Sequence, residues 1–325
     1  MSWLVTGGAG YIGSHIVQAF QQAGINPVVI DDLSSGHEDF VPGGVPFVRG
    51  SILDTGLVQR TLEEHHCEGV VHVAGFKYAG VSVTRPLHTY DQNATGTVSV
   101  LRAMRSAGVY RYVFSSSASV YGTPDVDEVT EQTALHPESP YGETKLIGEW
   151  LNHDMEPVDD QWQGVNLRYF NVVGSGSDQL YDTSPHNLFP IVFDLLLSGG
   201  TPKINGDDYP TPDGTCVRDY VHVADLARSH VAAAEQMMAG KKLEKAYNLG
   251  SGTGSSVREI MDAIARVTGI AFTPEIAPRR PGDPARIVAN GDAAARDLDW
   301  RMRHSIDDMV TSAWQARTAH PDISE

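Results

Sequence analysis

The chain has 325 residues, of which 41% are hydrophobic and 20% charged, as expected for a globular protein with a substantial core. Its 24 Lys and Arg against 41 Asp and Glu give a net charge of −17, which argues against nucleic acid or an anionic membrane as partner. No apolar run reaches the roughly 20 residues that span a bilayer, and the N-terminus lacks a signal-peptide pattern. The two cysteines, Cys67 and Cys216, have neither disulfide nor metal-ligand spacing. We expect a cytoplasmic protein without a metal site.

The first elements in chain order predict a βαβ unit. A short apolar strand at 3–6 leads into a glycine-rich loop at 7–13. A helical stretch follows from Ser14 to about Ala23, and 27–30 is a second buried strand. Strand, loop, helix and strand in this order are typical of a nucleotide-binding sheet.

Gly7, Gly10 and Gly13 give the loop a three-residue glycine repeat, with Tyr11 and Ile12 between them. Small residues allow the backbone to turn tightly and to approach a pyrophosphate, which binds at the positive N-terminus of the helix. The loop alone would be weak evidence, but its place between a strand and a helix predicts a dinucleotide site.

Asp31 follows the second strand directly. A carboxylate at this position accepts hydrogen bonds from both hydroxyls of the adenine ribose and repels a 2′-phosphate. The sequence therefore predicts NAD rather than NADP as cofactor.

The alternation of strands and helices continues through the first half. Continuous apolar strands are predicted at 69–75 and 112–117, and helices at 87–107 and 141–155. Strands that are apolar on both faces indicate a parallel sheet covered on both sides, with ligands at its carboxyl edge. We expect an α/β fold with a Rossmann-type doubly wound parallel sheet, forming an NAD-binding domain over 1–171.

The rhythm loosens after residue 171. The segments 175–186 and 205–215 are rich in Gly, Pro, Asp and Thr, which predicts loops. We expect a smaller C-terminal α/β substrate domain over 172–325, with a helix near 223–240 that packs back on the first domain.

Tyr141 and Lys145 lie four residues apart in a helix that begins with Ser139-Pro140, so they share a face. A tyrosine with its usual pKa of about 10 is a poor base. A neighbouring ammonium and a positively charged nicotinamide would lower that pKa. Alone, the pair would be an ordinary exposed Tyr–Lys contact, but Ser117 at a strand end and the dinucleotide loop accompany it. Ser117, Tyr141 and Lys145 are therefore the predicted catalytic residues.

This combination resembles the extended short-chain dehydrogenase/reductase superfamily. Eight blocks, in order along the chain, are similar to UDP-glucose 4-epimerases: 7–15, 74–77, 115–122, 167–171, 209–211, 217–222, 247–250 and 278–283. The resemblance implies an isomerase that inverts C-4 of a UDP-hexose (UDP-glucose or UDP-galactose) by transient oxidation to a 4-ketosugar with bound NAD. It also implies a homodimer formed through helices near 88–107 and 141–155.

The resemblance assigns further roles by position. Around NAD it implies Asp31, Ser51, Lys77, Asn93 and Tyr169, together with Tyr141 and Lys145. Around the UDP-sugar it implies Ser117, Tyr141, Asn171, Asn187, Arg218, Arg280, Asp283 and Ile287. Three positions depart from the family pattern: Ser51 replaces a usual aspartate near adenine, Asp32 a frequent asparagine and Val172 a frequent proline. Ile287 falls where the family varies between a large tyrosine and a small cysteine or serine, a position that limits room for an N-acetyl group.

Three alternative functions share part of this pattern. A 4,6-dehydratase would need a carboxylate after the active serine, where this chain has Ala118 and Ser119. An NAD-binding sensor would have no use for an intact Tyr141 and Lys145. A 4-epimerase of another UDP-sugar (UDP-glucuronate, a UDP-pentose or a UDP-N-acetylhexosamine) shares the same catalytic residues and stays open.

Overall fold

The structure, a computed structural model, describes residues 1–280 and 284–320. Its strands are β1 Ser2–Thr6, β2 Asn26–Asp31, β3 Phe47–Arg49, β4 Cys67–His72, β5 Arg111–Ser115, β6 Glu128–Val129, β7 Gln163–Tyr169, β8 Asn171–Val173, β9 Lys203–Asn205, β10 Val217–Arg218, β11 Tyr220–His222, β12 Ala246–Leu249, β13 Ser255–Ser256, β14 Glu275–Ala277 and β15 Arg286–Ala289. Its helices are α1 Tyr11–Gln22, α2 Thr55–Glu64, α3 Ala79–Ser82, α4 Pro86–Tyr90, α5 Gly96–Ala107, α6 Pro140–Asp154, α7 Leu188–Leu197, α8 Val223–Met238, α9 Val257–Thr268, α10 Asp292–Leu298 and α11 Ile306–Ala319.

Seven parallel strands form the central sheet in the order β12-β7-β5-β4-β1-β2-β3. Side chains alternate between its faces, so Trp3 and Val5 of β1 join one buried cluster while Leu4 joins the other. The chain proceeds outward from β1 in one direction and from β4 in the other, which places a crevice at the carboxyl ends of these two strands. The predicted doubly wound parallel sheet is confirmed.

Two helix predictions differ from the structure in their details. Helix α1 begins at Tyr11, three residues before the predicted Ser14, because Gly10 serves as its N-cap. The predicted helix at 87–107 is divided into α4 and α5 by a π-helical turn, Asp91–Thr95. The extra residue of this turn places Asn93 among buried side chains, and a π-turn of this kind is frequent at functional sites.

The chain beyond β7 builds smaller sheets and a second core. Strands β13-β10-β15-β6 form a four-stranded sheet, and two-stranded sheets pair β11 with β8 and β14 with β9. Helices α7, α9 and α11 bury Phe193, Ile260 and Met309 in one cluster. The segments 175–186 and 205–215 have no regular helix and consist mainly of turns and bends.

Two late segments return to the central sheet. Strand β12 pairs with β7 and is the seventh strand of the central sheet. Helix α8 packs on α1, and both belong to the same apolar cluster as β1. We therefore propose the division into 1–171 and 172–325 with the addition that α8 and β12 complete the first unit. Among the residues described, no helix combines the length and apolar character that crossing a membrane requires.

Asp225 fixes the C-terminal segment to α8. Its carboxylate is fully buried, receives the backbone N–H groups of Arg303 and His304 at 2.8 and 3.0 Å, and pairs with Arg228 at 2.6 Å. The carbonyl oxygen of Asp225 also accepts the indole N–H of Trp300 at 2.7 Å. Asp225 therefore provides the hydrogen-bond acceptors for the backbone N–H groups of the turn that leads into α11.

The variant Asp225→Ala should lower the free energy of unfolding by about 2 kcal/mol, because two backbone N–H groups lose a buried acceptor. Urea unfolding measures the change. Asp292→Ala is the matched control, since Asp292 is exposed and lies 3.9 Å from an equally exposed Arg301. That control should change stability by less than about 0.5 kcal/mol, and equal losses in both variants would contradict the role given to Asp225.

Candidate active site

The glycine loop is closed so tightly that side chains are excluded. Gly7 has φ +70°, and a Cβ atom there would lie 2.8 Å from the backbone of Ala74. A Cβ atom on Gly13 would lie 2.0 Å from the carbonyl oxygen of Gly7. The first bond within α1 runs from the N–H of Ser14 to the carbonyl of Gly10 at 2.9 Å. The N–H groups of residues 11–13 precede it, so they are oriented for an anionic ligand.

Tyr11 contributes to this loop through its backbone, because its side chain points elsewhere. The phenol donates to the carbonyl of Gly174 at 2.6 Å and is buried. His15, one turn later, accepts the N–H of Gly176 at 2.8 Å. The start of α1 is thus joined to the turn that follows β8. Ile12 is half-buried against the core on the same helix.

Asp31 lies at the carboxyl end of β2, as predicted, with its side chain aimed at the loop. Its two carboxylate oxygens accept the N–H groups of Ala9 at 3.0 Å and Leu33 at 2.8 Å. Each oxygen keeps a second lone pair for a ribose hydroxyl. Burial raises the pKa of Asp31, while these two N–H bonds act to lower it. Ser51, half-buried just beyond β3, caps its own turn by accepting the N–H of Leu53 at 3.2 Å.

Ser117, Tyr141 and Lys145 come together where β5 ends against α6. The Ser117 hydroxyl lies near the phenol of Tyr141, where it acts to lower the pKa of that phenol, and accepts the N–H of Ser119 at 3.1 Å. The Lys145 ammonium donates to the carbonyl of Ser115 at 2.8 Å and lies 5.8 Å from the centre of the Tyr141 ring. All three predicted catalytic side chains are at most 9% exposed. The structure therefore places the predicted trio in one cluster.

The electrostatics of this cluster differ from the expectation that Lys145 lowers the pKa of Tyr141. Burial raises the pKa of Tyr141, and the hydrogen bond from Ser117 only partly opposes it. Burial also lowers the pKa of Lys145 to about 8, with Glu149 acting in the opposite direction. Lys145 alone thus leaves the phenol protonated at neutral pH, and a further positive charge beside the ring is required for its ionisation.

Three more of the predicted NAD residues lie around this crevice. Asn93 is buried in the π-turn, accepts the N–H of Phe76 at 2.6 Å, and donates to the carbonyl of Phe76 and to Thr144. It therefore shapes the segment that carries Lys77, whose side chain is exposed with its ammonium 5.2 Å from the ring of Tyr78. Tyr169 ends β7 with its hydroxyl near Ser115, and burial raises its pKa far above the usual range.

The predicted UDP-sugar residues lie on several elements beyond β7. Asn171 begins β8 and is exposed, while the exposed Asn187 precedes α7 and donates to Asp182 at 2.6 Å. Arg218 in β10 is half-buried and donates to the carbonyl of Pro284 at 2.7 Å. The exposed Arg280 lies beside the side-chain amide of Asn205. Asp283 falls outside the described residues.

Ile287 lies in β15 directly opposite Arg218 in β10. It is 9% exposed and packs in a cluster with Leu146 of α6 and Phe170. Its position next to Arg218 and α6 is that of a wall between the predicted substrate residues and the catalytic helix. Its side chain is nevertheless held mainly by apolar neighbours.

Sequence reasoning missed a buried polar group behind the trio: Ser116, Glu149 and Arg168. The spacing offered a signal, because Glu149 is four residues beyond Lys145 on the same helical face. In the part of the chain that the structure describes, no cluster of His, Cys, Asp or Glu has the makings of a metal site.

The residues present fit a dinucleotide. The N–H groups of residues 11–13, which precede the first bond within α1, can hold a pyrophosphate, and each carboxylate oxygen of Asp31 keeps a lone pair for a ribose hydroxyl. These features, with Ser117, Tyr141 and Lys145 at the same edge of the sheet, define a nicotinamide-dependent enzyme on a Rossmann-type fold. The chain belongs to the NAD dependent epimerase/dehydratase family, whose model matches residues 3–250.

Similar proteins agree with this assignment over nearly the full length. The chain is 41% identical to UDP-glucose 4-epimerase of Lactobacillus helveticus, covering 99% of this chain and 98% of that one. A crystal structure of UDP-glucose-4-epimerase from Stenotrophomonas maltophila, with bound NAD and formylated UDP-arabinopyranose, superposes with TM-score 0.95 at 38% identity over 99% of both chains. The structure of UDP-glucose 4-epimerase from Brucella ovis in complex with NAD superposes with TM-score 0.91 at 38% identity, covering 96% of this chain and 97% of that one. The predicted resemblance, NAD cofactor and epimerase class are confirmed.

The lowered pKa of Lys145 predicts a pH dependence of stability. Its folded-state pKa, about 8, lies below the ordinary 10.5, so between these values the unfolded chain binds more protons than the folded one. The stability of the wild type relative to Lys145→Met should therefore rise with pH in this window, by up to about 1.4 kcal/mol per pH unit. Urea unfolding of both proteins, prepared free of nucleotide, at pH 7, 8, 9 and 10 measures the difference. A difference that stays constant across this range would rule out a perturbed Lys145.

Proposed function

We propose that the protein inverts C-4 of a UDP-hexose, with UDP-glucose and UDP-galactose as the leading pair, by transient oxidation to a 4-ketosugar. The observation that carries the proposal is the buried Ser117–Tyr141–Lys145 cluster at the edge of the sheet where the glycine loop and Asp31 also lie. Full-length relatives with this named activity support the choice of sugar.

The chain's own groups account for the proton transfers. Bound NAD supplies a hydride acceptor and donor, and its positive ring is the additional charge that the phenol requires. Tyr141 takes the proton of the 4-hydroxyl and later returns it. Ser117, which lies near that phenol, holds the sugar oxygen within reach of it. Lys145 stabilises the phenolate from its fixed place on the carbonyl of Ser115.

Inversion requires the ketosugar to present its other face, so the nucleotide must stay bound while the sugar turns. We assign this anchoring to Arg218 and Arg280, whose guanidinium groups suit a pyrophosphate, together with Asn171, Asn187 and Asp283. Arg218 is held by the carbonyls of Val217 and Pro284, which fixes its direction. With a net charge of −17, such local arginines are needed to attract an anionic substrate.

We also propose a cytoplasmic homodimer. The helices named by the resemblance carry exposed apolar side chains: Trp150 on α6 is 56% exposed, and Leu87 on α4 and Val83 beside it are 79% and 62% exposed. Because α4 contacts α6, these exposed apolar side chains lie in one region of the surface, which supports a protein interface there. Analytical ultracentrifugation of the wild type and of Trp150→Glu, compared at the same concentration, measures the oligomeric state.

Incubating the purified protein with UDP-sugars, without added NAD, and following C-4 by NMR tests the proposed function. UDP-galactose should form from UDP-glucose; the proposal fails if no UDP-hexose is inverted by protein that contains NAD. UDP-glucuronate, a UDP-pentose and UDP-N-acetylglucosamine in the same panel distinguish the alternatives.

Tyr141→Phe should lower turnover by roughly 10²–10⁴-fold, because the ring stays but the base is lost. UDP binding, measured by calorimetry, should be unchanged. Tyr110→Phe is the control, since Tyr110 lies before β5, at the opposite end of that strand from Ser117. Near-normal turnover of Tyr141→Phe would show that another group takes the proton.

Ile287→Ser should raise activity on UDP-N-acetylglucosamine relative to UDP-glucose, because a smaller wall leaves room for the acetamido group. Overpacking costs about 1–3 kcal/mol, so the wild type should prefer the unacetylated sugars by roughly 5- to 150-fold. Val288→Ser is the matched control, because Val288 is also buried but projects from the opposite face of β15. If the ratio of activity on UDP-N-acetylglucosamine to activity on UDP-glucose is unchanged in Ile287→Ser, this residue does not determine specificity.

A further inference from the structure

Three consecutive serines at the end of β5 face one side of α6 in turn. Tyr141, Lys145 and Glu149 follow each other at four-residue spacing along that side. The phenol of Tyr141 lies near the hydroxyl of Ser117, and Lys145 donates to the carbonyl of Ser115. Glu149 accepts the hydroxyl of Ser116 at 2.5 Å. Two hydrogen bonds thus join the end of the strand to the helix, next to the point where Ser117 faces Tyr141.

Arg168 on β7 fixes the carboxylate of Glu149 from behind. Its Nε donates to one carboxylate oxygen at 2.8 Å and its Nη2 to the other at 2.6 Å, and both residues are 5% exposed. The remaining Nη1 donates to the hydroxyl of Tyr121 at 2.9 Å, which in turn donates to Asn248 on β12 at 2.7 Å. Both oxygens of Glu149 are therefore bonded to groups of fixed position, and the carboxylate has one orientation.

Stability alone is a poor reason for such a pair. The cost of removing two charges from water roughly cancels their attraction, and apolar replacements are often as stable. What distinguishes this pair is its place one helical turn from Lys145. Burial lowers the pKa of Lys145, and the negative charge of Glu149 opposes this effect by raising that pKa.

We propose that Glu149, held by Arg168, is a positioning residue for epimerisation, aligning Ser117 through Ser116 and keeping the Lys145 side chain as an ammonium beside Tyr141. The inference rests on the proposed function for the meaning of Ser117 and Tyr141. The hydrogen bonds among Ser116, Glu149 and Arg168 do not depend on that function.

Several titratable or charged groups face this site from neighbouring elements: His72 on β4, Tyr141 and Glu149 on α6, Arg168 and Tyr169 on β7, and His230 on α8 through Ser115. Burial lowers the pKa of His72 to about 3 and that of His230 to about 4, and burial raises that of Tyr169. None of these three carries a charge near neutral pH. Glu149 is thus the anion that faces Lys145.

The decisive variant is Glu149→Gln, studied as purified protein with NAD present in excess. The chain has six lysines. In protein labelled with 13C at the lysine ε-carbon, the resonance of Lys145 is the one that is absent from the spectrum of Lys145→Met. We expect its titration midpoint to fall by about one pH unit in Glu149→Gln. We also expect kcat with UDP-glucose to fall by roughly 10- to 100-fold with KM nearly unchanged, as for a group that acts in the transition state.

Asp225→Asn is the matched control, because it also removes one buried, Arg-paired carboxylate but lies on α8 away from Lys145. It should lower stability and leave the Lys145 midpoint unmoved. Ser116→Ala keeps the Glu149–Arg168 pair and removes only the contact to the serine. It should lower kcat by roughly tenfold with the Lys145 midpoint unchanged, and it decides the matter if Glu149→Gln does not fold.

An unmoved Lys145 midpoint in folded Glu149→Gln, or a wild-type kcat in Ser116→Ala, would overturn the proposal. The lysine titration needs no turnover, so it reports on Glu149 even if the protein fails to invert any UDP-hexose. That latter result would count against the proposed function instead.

Discussion

The absence of side chains at Gly7 and Gly13 is the constraint on which the nucleotide-binding end of the sheet depends. Because a Cβ atom on Gly13 would meet the carbonyl of Gly7 at 2.0 Å, α1 begins directly against the end of β1. That close start turns the N–H groups of residues 11–13 toward the crevice and brings the N–H of Ala9 onto Asp31. A methyl group in the loop would displace the helix and would draw the N–H of Ala9 away from the carboxylate of Asp31.

The catalytic end of the sheet solves a different physical problem, which is to hold ionisable groups in a nearly dry site. Burial favours the neutral forms of both Tyr141 and Lys145, whereas proton abstraction requires a phenolate beside an ammonium. The protein opposes burial with fixed partners: the carbonyl of Ser115, the hydroxyl of Ser117 and the carboxylate of Glu149. Because these partners already point at the charges, little reorganisation is needed when charge develops in the reaction.

The sequence predicted the elements that local chemistry determines. The apolar strands, the glycine loop, Asp31 and the Tyr141–Lys145 spacing all follow from short-range patterns, and each lies where it was expected. Features that depend on distant partners were not accessible. The π-turn around Asn93 exists because its amide bonds Phe76 and Thr144, and the raised pKa of Tyr141 reflects burial by the whole fold. Glu149 on α6 was not predicted because its partner Arg168 lies on a different element, strand β7.

The late return of β12 to the central sheet has a consequence for synthesis on the ribosome. Strand β7 ends at Tyr169, whereas its outer partner begins at Ala246, more than 70 residues later. At roughly 5–20 residues per second, β7 waits for several seconds as an unpaired sheet edge. Such edges readily pair with other chains. Nascent chains of this protein are therefore open to aggregation at this edge in that interval, and chaperones that bind extended segments would act on them there.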